Sequence, residues 1–128
     1  MNEPVWVSRA TVVALQEMLL SMFGGVAGIR DDDALHVALG KPVKRFQSGQ
    51  TSIFNLAANY GQSMMKERPF RDGNKRLGFA ACVVFLELNG YRFRAPEADA
   101  ALRTLAFAAA AMDESDYAAW LESHARKI

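Results

Sequence analysis

Several things are scarce in this sequence, and each scarcity excludes something. A single cysteine, Cys82, cannot form an internal disulfide, and it stands inside an apolar run. A buried, inert thiol in a reducing compartment is the expectation. Net charge is nearly absent, with 15 basic against 14 acidic residues leaving +1. That removes a whole-molecule electrostatic case for nucleic acid and confines any anion site to a local cluster. No apolar stretch is long enough to span a bilayer, the longest being short and broken by Glu87. The opening MNEPVWVSRA has no basic start followed by an apolar segment, as a signal peptide would. Repeats, low-complexity tracts and linkers are missing too. A cytoplasmic protein with neither membrane nor direct nucleic-acid partner is the reading.

What remains is apolar substance. Of 128 residues, 51% are hydrophobic and 23% charged, enough to bury a core in one domain spanning residues 1–128. The periodicity is helical almost throughout. Ser8 caps a first helix with the stripe Val12, Leu15, Leu19 and Met22, ended by Gly24 and Gly25. Asp31, Asp32 and Asp33 open a short helix, DALHVALG, that Gly40 and Pro42 terminate, leaving KPVKRFQSGQ as a polar loop. Thr51 or Ser52 caps a third helix whose inner face is Phe54, Ala57, Ala58, Gly61, Met64 and Met65. A helix from about Asn74 to Leu88 is apolar on every side and should be central. After the Asn89-Gly90 stop, YRFR reads as a short extended piece. Pro96 opens a helix with Ala98, Leu102, Leu105, Ala109 and Met112 on one side. Asp113 or Ser115 begins the last, with Tyr117, Trp120 and Leu121 inward and His124 continuing that face; His36 falls on a short surface helix. The fold expected is all-α, about six helices.

The chemistry gathers at one polar knot, ERPFRDGNKR, at the mouth of the most apolar helix. The first N–H groups of a helix lack internal acceptors and carry the positive end of its dipole. Gly73 allows a close backbone approach or a positive φ. Asn74 caps the helix and still presents an amide, while Lys75 and Arg76 add fixed positive charge. Such a mouth suits a polyphosphate. Asp72 is the one carboxylate among the cations and could hold Mg²⁺ bridging phosphate oxygens. Lys66 stands near enough in sequence to add a further cation. Spacing alone leaves a second reading open, in which Asp72 merely caps the helix and Lys75 and Arg76 form a solvated turn.

RPFRDGNKR resembles the signature of the Fic/Doc family, and more closely its Doc (death-on-curing) branch: His-Pro-Phe-x-Asp-Gly-Asn-Lys-Arg. The upstream GGVAGIRDDDALHVALGKP and downstream FLELNGY are similar to segments of that branch, with a weaker echo in WLESHA. The resemblance implies an all-α fold with the motif at the N-terminus of a buried central helix. Fic members mostly transfer AMP to protein hydroxyls and carry Gly-Asn-Gly where this chain has Gly73, Asn74 and Lys75. The Doc branch, with lysine there, is implied to phosphorylate elongation factor Tu from ATP and Mg²⁺ and so arrest translation, as the toxin of a type II toxin–antitoxin pair. Carried over by position, Asp72 binds Mg²⁺, Gly73 and Asn74 form the anion hole, and Lys75 and Arg76 hold phosphates and stabilise transition-state charge. The implied partner is a Phd-type antitoxin whose tail folds as a helix into an apolar groove, to which Met18, Met22, Met64 and Met65 could contribute.

One position departs. The signature opens with the histidine that serves as general base, and here Arg68 stands in its place. A guanidinium has no acceptor and keeps its proton at physiological pH, so it cannot take one from a hydroxyl. Glu67 points elsewhere on a helical or turn backbone, and His36 and His124 are remote in sequence. The expectation is an impaired kinase that keeps its phosphate site; AMP transfer and a non-catalytic binding module are the alternatives.

Overall fold

The computed structural model describes residues 2–128 and is helical but for one small ribbon. In order come α1 (Arg9–Phe23), α2 (Asp32–Gln47), α3 (Ile53–Glu67), α4 (Asn74–Leu88), β1 (Tyr91–Phe93), α5 (Glu97–Ala108), α6 (Glu114–Ser123) and β2 (Ala125–Lys127). This is the all-α architecture the sequence predicts. Side chains of Ser8, Asp31, Ser52 and Asp113 accept from the amides of Thr11, Ala34, Asn55 and Asp116, so four helices start on acceptors for otherwise unpaired donors.

The centre is the contact of α3 with α4, flanked by α1, α2, α5 and α6. Leu56, Tyr60, Met64, Leu77, Phe85 and Leu86 are fully buried there, with Tyr117 and Leu121 from α6. Two glycines set how close these helices come. A Cβ on Gly78 would lie 2.9 Å from the Gly61 carbonyl oxygen, and one on Gly61 would lie 2.8 Å from Cys82 Sγ. Cys82 is buried, its thiol donating to the Ala57 carbonyl at 2.9 Å, and burial pushes its pKa up to about 12. The inert thiol read from the sequence is present.

Two sequence expectations fail. The polar loop after Gly40 is instead the second half of α2, which runs through Pro42 to Gln47. A proline inside a helix leaves the carbonyl four residues back without its donor. Here that carbonyl, Ala38 O, accepts from the Ser63 hydroxyl on α3 at 2.8 Å. Pro42 itself is fully buried, and the extension is tied down by Phe46 edge-on to Trp6 and by the ion pairs Lys41–Glu67 and Arg45–Glu114. His36 is exposed, but on a long helix rather than a short one.

The second failure is the inner face of α5. Ala100, Thr104 and Phe107 are buried, while Leu102 and Leu105 are 68% and 55% exposed and Ala98 and Ala109 also face solvent. An aromatic stack decides the rotation: Phe107 lies on Tyr117 at 4.1 Å between centroids, tilted by only 9°, and the Thr104 and Tyr117 hydroxyls meet at 3.0 Å. Pro96 does precede this helix, and the extended YRFR is β1, paired antiparallel with β2. The four methionines do not form one groove. Met64 is core and Met65 half-buried, whereas Met18 and Met22 are exposed on α1.

Candidate active site

The knot between α3 and α4 is built against the glycine-rich segment that follows α1. Arg30 and Asp31 N–H groups both donate to the Pro69 carbonyl, at 2.8 and 3.1 Å, and Arg71 N–H donates to the Gly28 carbonyl at 3.0 Å. Ile29 and Phe70 form a bridge between the two segments. The Arg30 guanidinium then reaches the end of α3, donating to the carbonyls of Glu67 and Arg68 at 2.7 Å each. A cation at a helix C-terminus satisfies orphan acceptors and opposes the dipole.

Arg68 caps α3 in the left-handed region, at φ 49° and ψ 58°. That conformation costs a non-glycine residue free energy. Beyond it, the loop closes on itself. The Asn74 amide accepts from Phe70 N–H at 3.1 Å and donates to the Phe70 carbonyl at 2.9 Å, and the residue is buried. Asn74 therefore spends its side chain on the loop, and what it leaves to a ligand is its backbone N–H. Gly73, at φ 75°, precedes it.

Asp72 is fixed by backbone donors. One carboxylate oxygen accepts from Gly73 N–H at 2.9 Å and the other from Val26 N–H at 3.3 Å. Its carbonyl accepts from Gln16 Nε2 at 2.8 Å. Gln16 is buried, and its Oε1 has no donor among the described residues. Gly25 makes this arrangement possible, because a Cβ there would stand 2.9 Å from the Asp72 carboxylate.

A cavity of about 450 Å³ opens at this point, lined by Arg68, Arg71, Asp72, Gly73, Asn74 and Lys75, with Met65 and Ala108 on its apolar side. Three cations thus face one carboxylate, and none of the three is in an ion pair among the described residues. In the first turn of α4, Leu77 N–H reaches the Gly73 carbonyl, while the amides of Asn74, Lys75 and Arg76 have no acceptor among the described residues. Donors and fixed cations gathered around a single carboxylate are chemistry that attracts anions.

The structure thus brings Arg68, Asp72, Gly73, Asn74 and Lys75 together. Arg76 does not line the cavity; its guanidinium lies 4.1 Å over the Phe23 ring. Lys66 lines neighbouring cavities instead. Arg71, Arg30 and Gln16 carry structure or charge here that the sequence reading assigned to no role. The signals were modest: Arg71 fills the free position of the motif, and Arg30 lies in GIRDDD. Apart from Asp72 itself, no group able to accept a proton lines the cavity among the described residues. Glu67 turns away to accept from Lys41 Nζ at 2.8 Å, His36 is on α2, and His124 caps the C-terminus of α6.

A family model described as Fic/DOC family matches residues 6–86. The chain is also similar to a protein named "Protein kinase doc" from Escherichia phage P1. The two are 28% identical over 93 residues, which cover 71% of this chain and 74% of that protein.

Proposed function

The chain belongs to the Fic/DOC family, and from that premise we propose that it is a Doc-type toxin kinase whose Arg68 form binds ATP and Mg²⁺ but transfers phosphate poorly. One observation carries the reading: the motif cavity gathers unpaired cations and free amides around Asp72, its only carboxylate, and has a guanidinium at position 68.

The residues fit the cofactor. A divalent cation with a single protein carboxylate takes its other ligands from phosphate oxygens and water, the habit of Mg²⁺. Asp72, held by two backbone donors, would be that carboxylate. When bound, ATP with Mg²⁺ supplies the phosphoryl group. Lys75, Arg71 and the α4 amides would hold phosphate oxygens and offset charge that grows during transfer. A histidine at position 68 would take the acceptor hydroxyl's proton; the Arg68 guanidinium cannot, and instead adds positive charge to the phosphate cradle.

The acceptor proposed is elongation factor Tu, and the consequence arrested translation in a bacterial cytoplasm. The regulating partner proposed is a Phd-type antitoxin. Met18, Met22, Phe23 and Val26 are all exposed at the end of α1 and just after it, an apolar strip suited to a folding helix. The same Arg68 also favours a second reading, a binding module that sequesters nucleotide or partner without chemistry.

The test is Arg68→His, assayed with ATP, Mg²⁺ and elongation factor Tu by mass spectrometry. The reading expects an added phosphate on the factor with the histidine variant and little with the Arg68 chain. Equal transfer by both removes the base assignment, added AMP transfers the chain to the Fic chemistry, and bound ATP without transfer leaves the binding module.

A further inference from the structure

A second cluster of unpaired cations lies on the β1–β2 ribbon. In the ribbon, Arg92 stands directly opposite Arg126, and Arg94 N–H donates to the His124 carbonyl at 2.9 Å, so Arg94 opposes His124. Strand alternation places the three arginine side chains on one face, while the His124 ring at the end of α6 leans toward Trp120 and Phe93. On the other face, beside Lys127, Phe93 packs edge-on against Phe79 and Trp120, and Tyr91 against Phe54. Arg92, Arg94, Arg126 and His124 line, with Ser123, a cavity of about 520 Å³.

Like charges directly opposite each other weaken a strand pair, so this register is unfavourable unless something neutralises it. The protein does not do so. Among the described residues no carboxylate lies within 4.0 Å of these three guanidiniums, and the four ion pairs are elsewhere. Asp99, which interacts with His124 electrostatically, is already held by Trp120 Nε1 at 2.8 Å and by Arg103. In a chain of net charge +1, three free guanidiniums on one small face are a concentration of charge.

We propose that this ribbon face is an anion site for a compact ligand carrying two or three adjacent phosphates. The guanidinium fork matches phosphate oxygens in pairs, which accounts for arginine at all three positions. Arg92 and Arg94 are separated by about 7 Å, two residues of a strand, so the face covers a few phosphates and no more. A nucleic acid would run off it onto near-neutral surface, where further backbone contacts are lacking. The ribbon cavity shares no lining residue with the motif cavity, although Phe93 of β1 packs on Phe79 in the first half of α4.

The probe is tripolyphosphate, titrated at low ionic strength into an Arg71→Ala/Lys75→Ala chain, in which the motif cavity is weakened. The proposal expects one remaining site, weakened about tenfold or more when Arg92→Gln and Arg126→Gln are added, with Arg94→Gln alone giving an intermediate loss. It also expects the ligand-free Arg92→Gln/Arg126→Gln chain to melt roughly 2 °C higher than its parent, since the opposed charges are gone. No binding to the Arg71→Ala/Lys75→Ala chain, or affinity unchanged by the ribbon substitutions, overturns it. So does tighter binding of a 20-base-pair DNA duplex or of polyglutamate than of tripolyphosphate, which would hand the face to nucleic acid or to an acidic protein.

Discussion

The Arg30 guanidinium holds the carbonyl of Arg68 at 2.7 Å, across 38 positions of sequence. With its second bond to Glu67 and the backbone bonds to Pro69, this fixes where the motif loop leaves α3. Removing it with Arg30→Ala loses two charge-assisted bonds and the cation at the helix end. A destabilisation of about 1–2 kcal/mol is expected, at the lower part of the range because the site is solvent-exposed. Urea denaturation gives the number, and ATP affinity should weaken in parallel. An unchanged midpoint would mean that the backbone strap alone positions Arg68.

Arg68 stores strain that its chemistry does not use. A left-handed cap at φ 49° is a glycine position in most helices. Arg68→Gly should therefore raise stability by about 1 kcal/mol, while Arg68→His should leave it nearly unchanged. If glycine there lowers the melting temperature, the arginine side chain makes contacts that outweigh the strain.

Much of this architecture is legible in the sequence, because caps and periodicity are local. Ser8, Ser52 and Asp113 mark helix starts that the structure keeps. The errors are non-local. Nothing near Pro42 reveals that Ser63 will satisfy the Ala38 carbonyl, and nothing within α5 reveals that Phe107 will stack on Tyr117. The gathering of motif cations around Asp72 was readable, yet Gln16 and Arg30 reach the loop from α1 and from the segment before α2. Asn74 illustrates the limit: its residue type suggests a ligand contact, and the fold turns its amide onto Phe70 instead.

The α3–α4 contact should tolerate no methyl group at its closest point. A Cβ at Gly78 would meet the backbone oxygen of Gly61 at 2.9 Å and the Met65 side chain at 3.2 Å. Helix propensity favours alanine by up to about 1 kcal/mol, but a clash with backbone cannot be relieved by a rotamer change. Gly78→Ala is expected to destabilise by roughly 1–3 kcal/mol. Gly61→Ala meets the single Cys82 sulfur atom, so Cys82→Ala in the same chain should recover part of its loss. Additive losses in that double variant would show that the two positions do not share space.

Alkaline pH should unfold the protein through groups that burial keeps protonated. Burial pushes the Cys82 thiol from 9.0 up to about 12, and the Tyr60 hydroxyl from 10.0 to about 12 against the opposing pull of the Val7 N–H. Tyr117 is raised by burial in the same direction. Above pH 9 the unfolded chain gives up protons that the folded one retains, so the unfolded state is favoured as pH rises. The contribution of these groups is complete below pH 9 and disappears as the pH climbs to about 12. The urea midpoint should fall through that window, and Cys82→Ala should make the fall shallower, beginning nearer pH 10 where the tyrosines take over. A midpoint that stays level from pH 9 to 11 would show that both groups ionise in the folded protein, and hence that water reaches the α3–α4 core.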